Sequence, residues 1–363
     1  MGALELPTSL PAAPMRTTTP APVVRAFASS DNARWDEFVK GHPEGSFFQL
    51  TGWKRAVERT FGYESCYVLA ERGGTVTGIL PLFFVSDWLA GRRLLSVPLG
   101  VYGGICATDE ESRGKLLEAA KRECAVRNVD YLELRNRRSK IDTNFHPNAL
   151  YSTFSCALSA DIDASLKRLP RDTRYMIRKA EKAGLRTERG FHLTDTFYRL
   201  FAQSMHRLGT PVQPRGLFNN LQEEFGSAME LMVVYSGSNA VSAVASFLFR
   251  DTILPYYAGA GPEAPKLCAN NFMYWELMKH ATQAGYRQFD FGRSKKNTGS
   301  YAFKTQWNME VATLDYEVLL VQRKTVPNFS PVNPKFDRAI RLWRLLPLWM
   351  ANAVGPHIVR WLP

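Results

Sequence analysis

One order of elements is written twice along this chain, and that repetition constrains the fold more than any single motif. In the first pass, ESCYVLAERGGTVTGILPLFFVSDW supplies a strand, a Gly73-Gly74 turn and a second strand, because Tyr67 to Ala70 and Thr75 to Val85 are rich in β-branched and aromatic residues on either side of a turn signal. RRLLSVPLGVYGGICA continues as a strand broken by Pro98 and a Tyr-Gly-Gly turn, EESRGKLLEAAKRECAVRN reads as a helix with acids at its front, and VDYLELRNR as a short strand. The second pass repeats this order: strands about a Gly237-Ser238-Asn239 turn, a strand ending in PYYAGAG, the helix CANNFMYWELMKHATQAG, and the short strand RQFDFG. Each half therefore predicts a mixed twisted sheet flanked by helices, an α/β (α+β) arrangement. Helices precede each sheet: ARWDEFVKGHP reads as a short one, and SFFQLTGWKRAVERTFG as a turn into an amphipathic one with Trp53, Val57 and Phe61 at apolar positions.

At 363 residues the chain exceeds what one core ordinarily serves, so two domains are expected. The boundaries read as a Pro, Thr and Ala-rich disordered leader at 1–24, a first domain at 25–157, a second at 158–325, and a basic, Trp-rich helical tail at 326–363. The tail is expected either to dock on the first domain or to lie on a membrane surface, since Arg338, Arg341 and Arg344 stand beside Trp343, Leu346 and Trp349. No apolar run reaches the roughly 18 residues of a membrane span, and the N-terminus lacks a signal-peptide pattern. Cytoplasmic placement is expected, with peripheral contact at the inner membrane open through the tail.

The formal net charge of +12 points to anionic partners: nucleic acid, nucleotide-linked substrates, coenzyme A or an anionic membrane face. Five scattered cysteines, an odd number without a C-x-x-C pair, suggest neither a zinc cluster nor a disulfide framework. The six histidines show no paired metal spacing, and neither G-x-S-x-G nor a P-loop occurs. Metal, serine-triad and triphosphate chemistry thus have no visible seat.

FDFGRSKKNTGSYAFKTQWNME, residues 289–310, concentrates the unusual chemistry. A strand ends at Gly292, and Arg293, Ser294, Lys295 and Lys296 offer donors where open α/β sheets bind ligands, which suits phosphate or carboxylate. Tyr301, Phe303 and Trp307 surround a lone cation, Lys304, which in a low-dielectric pocket can stabilise an oxyanion. The helix LPRDTRYMIRKAEKAG carries Arg174 and Arg178 on a basic face that either meets water or contacts phosphates. Tyr256 and Tyr257 end a strand before small residues; either can serve a ligand or the core. Asp290 is a candidate proton acceptor if it faces the pocket.

The run ANNFMYWELMKHATQAGYRQFDFGRSKKNTGSYAFKTQW, with DTRYMIRKAEKAG, RLGTPVQPRGLF and FRDTILPYYAGAG, resembles the Fem-type (FemAB-like) acyltransferases, in particular the Fem-like proteins associated with the PEP-CTERM and exosortase system. The resemblance spans most of residues 160–310. It implies two tandem GNAT-like acyl-CoA N-acyltransferase domains with the active site in the second, no tightly bound cofactor, an acyl-CoA or aminoacyl-tRNA co-substrate, and no DNA partner. The acceptor it implies is an amine of a cell-envelope precursor, either a peptidoglycan stem peptide or an exopolysaccharide amino sugar. Phe303 and Lys304 stand where Fem enzymes carry a Phe-Lys pair that assists transfer, and Tyr256 and Arg174 are counterparts of a strand-end tyrosine and of a basic residue at the nucleotide diphosphate. The helical hairpin that some Fem enzymes use to grip tRNA has no room here. A non-catalytic acyltransferase-fold module recruited to an exopolysaccharide or protein-sorting assembly is the alternative.

Overall fold

The computed structural model describes residues 20–88, 90–137, 144–326 and 333–361; most of the expected leader lies outside them. Three sheets carry the fold: four strands and six strands in the first half, and seven strands in the second. The repeat predicted from sequence appears as a parallel strand pair joined by a helix in each half. Strands Gly91–Leu95 and Tyr131–Arg135 pair in parallel and are joined through helix Glu110–Val126. Strands Thr252–Ala260 and Gln288–Lys295 do the same through helix Ala269–Gln283.

Beyond each pair, a strand further along the chain crosses to the other half. Tyr151–Ala157, expected in the first domain, pairs antiparallel with Gln288–Lys295 of the second. Tyr316–Leu320, expected in the second, pairs antiparallel with Tyr131–Arg135 of the first. The exchange gives the central strand of each half a neighbour on its free edge, which satisfies backbone groups that would otherwise lie unpaired.

A shared aromatic core closes the interface. Phe47 of the first half stacks on Phe247 of the second, 4.4 Å between ring centroids, and meets Phe225 at 4.2 Å. Helices Thr51–Phe61 and Arg215–Phe225 pack together, flanked by Arg55–Glu224 and Arg59–Glu223 pairs at 2.6 and 2.8 Å. Trp53, Val57 and Phe61 are buried as their helical spacing predicts.

Three local expectations are corrected. Val23 and Val24, placed in the leader, belong to strand Val23–Ala26, which pairs with Val68–Arg72 at the sheet edge. The expected Thr75–Val85 strand is two, Thr75–Leu80 and Phe83–Asp87, in different sheets, because Pro81 has no N–H for the ladder. The loop expected to follow Gly292 is strand as far as Lys295, because Tyr151 and Ser152 pair with it.

The tail forms helices Asp337–Leu345 and Leu348–Val359, whose inner side rests on helix Thr194–Leu208 and its C-terminal end: Ile340 and Arg344 lie over Gly209, and the Arg344 guanidinium donates to the Leu208 carbonyl at 3.1 Å. It also reaches the first half, where Arg360 donates to the Phe61 carbonyl at 2.9 Å and Arg93 to the Trp361 carbonyl at 2.9 Å.

Strand Thr252–Ala260 lies so close to helix Thr194–Leu208 that a Cβ at Gly259 would stand 2.3 Å from the Phe201 nitrogen. Backbone cannot yield as a side-chain tip can. Gly259→Ala is expected to destabilise the protein by about 2 kcal/mol or more, read from urea unfolding; an unchanged midpoint would mean the helix stands further off.

Candidate functional site

Strand Gln288–Lys295 is bent at its centre. Opposite Phe154 it has two residues, Phe291 and Gly292, because Thr153 pairs with Arg293 while Ser155 pairs with Asp290. Gly292 takes φ +64, a left-handed conformation that a side chain resists. The Asp290-Phe291-Gly292 sequence thus carries the strand into the bulge, and pairing resumes at Arg293.

The bulge is held from two sides. The Lys304 ammonium, one helical turn into Gly299–Thr305 and beyond, donates to the carbonyls of Phe291 at 2.5 Å, Gly292 at 3.2 Å and Arg293 at 3.1 Å. Its three protons thus have three acceptors. Burial pushes its pKa down to about 8; Asp290 acts against the shift, and Arg293 adds to it. Thr298 caps the short helix by accepting from the Tyr301 N–H, and so sets where Lys304 emerges.

On the other side the Asp290 carboxylate accepts from the Gly292 N–H at 2.8 Å, from the Thr153 hydroxyl at 3.2 Å and from the Tyr102 hydroxyl at 3.0 and 3.1 Å, and it faces Arg137 at 3.5 Å. Tyr102 and Arg137 come from the first half, so this buried carboxylate joins the two domains. The Tyr102 hydroxyl is pushed well up by burial and by Asp290, and therefore acts as a donor across the physiological range.

The parallel strands pair only at Thr252 with Gln288 and Ile253 with Phe289, then separate. A second bulge puts Tyr256 out of register with the neighbouring strand, since Ala245 pairs with Tyr257 and Ser246 with Pro255. The first-half loop at residues 97–102 approaches here. Tyr256 donates to the Leu99 carbonyl and Tyr316 to the Val101 carbonyl. Half-buried Arg293 lies over the Tyr151 ring at 4.7 Å and near the Tyr316 ring at 5.8 Å, with its guanidinium 3.4 Å from the Tyr316 hydroxyl. No carboxylate among the described residues lies within ion-pairing distance of it.

The predicted residues therefore divide. Lys304, Asp290, Arg293 and Tyr256 gather about the bulge. Phe303 and Trp307 pack with Tyr274 and Phe291 in the second core, Tyr301 sits edge-on to Phe154, and Tyr257 lies among Phe201, Phe218 and Phe247. Lys295 is partly buried, which lowers its pKa. Arg178 is exposed; Arg174 is half-buried, with a buried Nε that has no partner. Their helix docks beside Lys304 through Thr173, which donates to the Gln306 carbonyl at 2.6 Å.

Tyr102, Thr153, Arg137, Tyr151 and Tyr316 escaped sequence reasoning. Only Tyr102 had a local signal, its Tyr-Gly-Gly turn, and that reads as a chain reversal rather than a site. A cleft of about 410 Å³ opens elsewhere between the halves, against Asp36, Lys40, Arg55, Glu224 and Arg250, and contains none of the predicted residues. Arg55 there is already paired with Glu224, and Arg250 donates to the Val39 and His42 carbonyls.

Residues 167–305 match the family model described as the acetyltransferase (GNAT) domain. Among solved structures the chain is similar to FemX, with 16% identity, a TM-score of 0.63, and coverage of 83% of this chain and 98% of that one. It is also similar to the C-terminal domain of a putative lysylphosphatidylglycerol synthetase from Agrobacterium fabrum, with 12% identity, a TM-score of 0.54, and 80% and 92% coverage. A tandem GNAT protein from the clavulanic acid biosynthesis pathway matches at 10% identity and a TM-score of 0.50, with 82% and 98% coverage. No curated protein sequence matches. The architecture is that of two tandem GNAT-like domains, and the matched segment carries the Gly292 bulge and Lys304.

The low pKa of Lys304 gives the site a pH signature. Between about 8 and its ordinary 10.5, the unfolded chain keeps a proton that the folded protein has released. This group's contribution to stability therefore rises with pH across that window. Relative to Lys304→Met, the wild type should gain up to roughly 3 kcal/mol as pH rises from 8 to 10.5, measured by chemical unfolding of both. Parallel curves would mean the ammonium is solvated.

Proposed function

We propose that this chain is an N-acyltransferase, moving an acyl group from acyl-CoA to an amine of a cell-envelope precursor, at the opening between strands Thr252–Ala260 and Gln288–Lys295. The observation that carries this reading is Arg293: a half-buried cation with no carboxylate partner among the described residues, next to a glycine bulge where two parallel strands part. Such a cation suits an anion, whether a phosphate of the donor or the oxygen that becomes negative during transfer.

In the reaction the acceptor amine attacks the acyl carbonyl. A C–N bond forms, the carbonyl oxygen carries negative charge, and the C–S bond of the thioester breaks as the thiolate leaves. Backbone N–H groups where the strands part, together with Arg293, are the candidate stabilisers of that oxygen. Lys304 acts through the backbone it holds, fixing the carbonyls of Phe291 to Arg293 so that the adjacent amides keep their direction. Asp290 fixes the same bulge from its other side, and the amine's proton passes to the acceptor's own groups or to the leaving thiolate. Arg174, with its buried unpartnered Nε, and exposed Arg178 extend the cationic surface toward a nucleotide-bearing donor. The acceptor class follows from the Fem-type resemblance and covers a stem peptide or an exopolysaccharide amino sugar.

A second reading keeps the fold and changes the donor to aminoacyl-tRNA. It is favoured by the likeness to FemX and to the putative lysylphosphatidylglycerol synthetase domain, and its ester C–O bond takes the place of the thioester C–S bond in the same geometry.

Binding of the purified protein to acetyl-CoA, to longer acyl-CoA and to charged and uncharged tRNA, at low and near-physiological salt, separates the readings. Acyl-CoA binding that survives salt and weakens in Arg293→Gln is expected, with transfer falling about a hundredfold in that variant. Preference for charged tRNA would establish the second donor. A folded protein that binds neither would be a non-catalytic module. Transfer persisting near the wild-type rate in folded Lys304→Met would remove Lys304 from any role in it.

A further inference from the structure

The two C-terminal helices have an outer side that the fold leaves bare. On helix Asp337–Leu345, Ile340 and Arg344 face helix Thr194–Leu208, while the opposite side carries Arg338, Arg341, Leu342 and Leu345. Leu342 is 66% exposed and Leu345 is 79% exposed, and Trp349, four residues further on, is 70% exposed. Three large apolar side chains exposed within eight positions are more than the scattered exposure of an ordinary surface.

The charge around them is one-sided. Lys335, Arg338, Arg341 and Arg344 stand within ten positions of one another against Asp337 alone, and none makes an ion pair among the described residues. Arg341 donates to the Asp337 carbonyl and Arg344 to the Leu208 carbonyl, which leaves their charge uncompensated. No helix among the described residues is long and apolar enough to cross a membrane, so this pair could only lie along one.

We infer that the outer face of these helices is a docking surface for an anionic lipid bilayer, with Leu342, Leu345 and Trp349 inserted among the headgroups and Arg338 and Arg341 on lipid phosphates. An apolar strip flanked by arginines is what an interfacial helix requires, since the apolar groups supply insertion and the cations select negative headgroups. A second copy of this chain fits poorly, because a two-fold contact would set these arginines against their own equivalents. The inner side is already packed on the protein, so the helices are formed before they meet lipid and no ordering cost opposes docking. This inference does not rest on the transfer chemistry; it concerns a separate face and a separate readout.

The test uses the full chain and vesicles of phosphatidylcholine alone, or with about a quarter phosphatidylglycerol, in a cosedimentation assay. Binding to the anionic vesicles and not to the neutral ones is expected, weakening as salt rises toward roughly 0.15 M. Arg338→Gln with Arg341→Gln should weaken it roughly thirtyfold, at about a factor of five for each cation near the surface. Leu345→Glu and Trp349→Glu should each weaken it about tenfold or more. These positions are exposed, so thermal unfolding should barely change and the variants stay interpretable. No binding to anionic vesicles at low salt would overturn the proposal, as would binding indifferent to all four changes. A dimer in solution that Leu345→Glu dissociates would assign the face to a second copy instead.

Discussion

The bend in the strand at the heart of the second domain is fixed by one lysine side chain. Lys304 lies where three successive carbonyls, those of Phe291, Gly292 and Arg293, turn toward a common point. Carbonyls turned toward one point repel each other, so an arrangement of this kind is stabilised by a donor of several protons at its centre. Lysine supplies three on one atom, at the cost of burying a charge, and its low pKa measures that cost. The Asp290 carboxylate, reached from the other side by the Gly292 N–H, keeps a negative charge close enough to limit it.

The same accounting binds the two halves. Six consecutive carbonyls in the first-half loop, residues 97 to 102, each have a side-chain donor: Arg135 for Val97 and Gly100, Trp53 for Pro98, Tyr256 for Leu99, Tyr316 for Val101 and Ser46 for Tyr102. Two of those donors come from the far side of the chain. A loop so completely tied is a fixed wall, which lets residues of the first domain shape an opening that belongs to the second. Strand exchange between the sheets adds backbone pairing to this set of side-chain bonds, and rigid relative placement of the halves follows from both.

Legibility in the sequence varied with the range of the physics. Helix Thr51–Phe61 was legible because Trp53, Val57 and Phe61 recur at its period, and the hairpins because Gly73-Gly74 and Gly237-Ser238-Asn239 mark their own turns. Lys304 stood out as a lone cation among aromatic residues. Its acceptors did not, since every residue has a carbonyl and nothing in a side-chain pattern says which will converge. Trp307 and Tyr257 read in sequence as aromatics near the site, yet both pack in cores, because a ring's role is decided by which side of a sheet it occupies. In sequence Arg293 is one donor in a basic loop; its distinction, a cation between Tyr151 and Tyr316 with no carboxylate beside it among the described residues, needs strands that are distant in sequence.

By itself the sequence determined the repeated order of hairpin, strand, helix and short strand, the basic charge, and the concentration of chemistry between Phe289 and Trp307. These are statements about neighbours along the chain, where periodicity, turn residues and composition act directly. Only the tertiary structure decided that Tyr151–Ala157 and Tyr316–Leu320 trade sheets, that Tyr102 closes on Asp290, and that Lys304 grips the backbone of a bulge. Those outcomes depend on satisfying buried donors and acceptors between segments up to some two hundred residues apart, a condition that the folded chain must meet as a whole and that no local stretch can express.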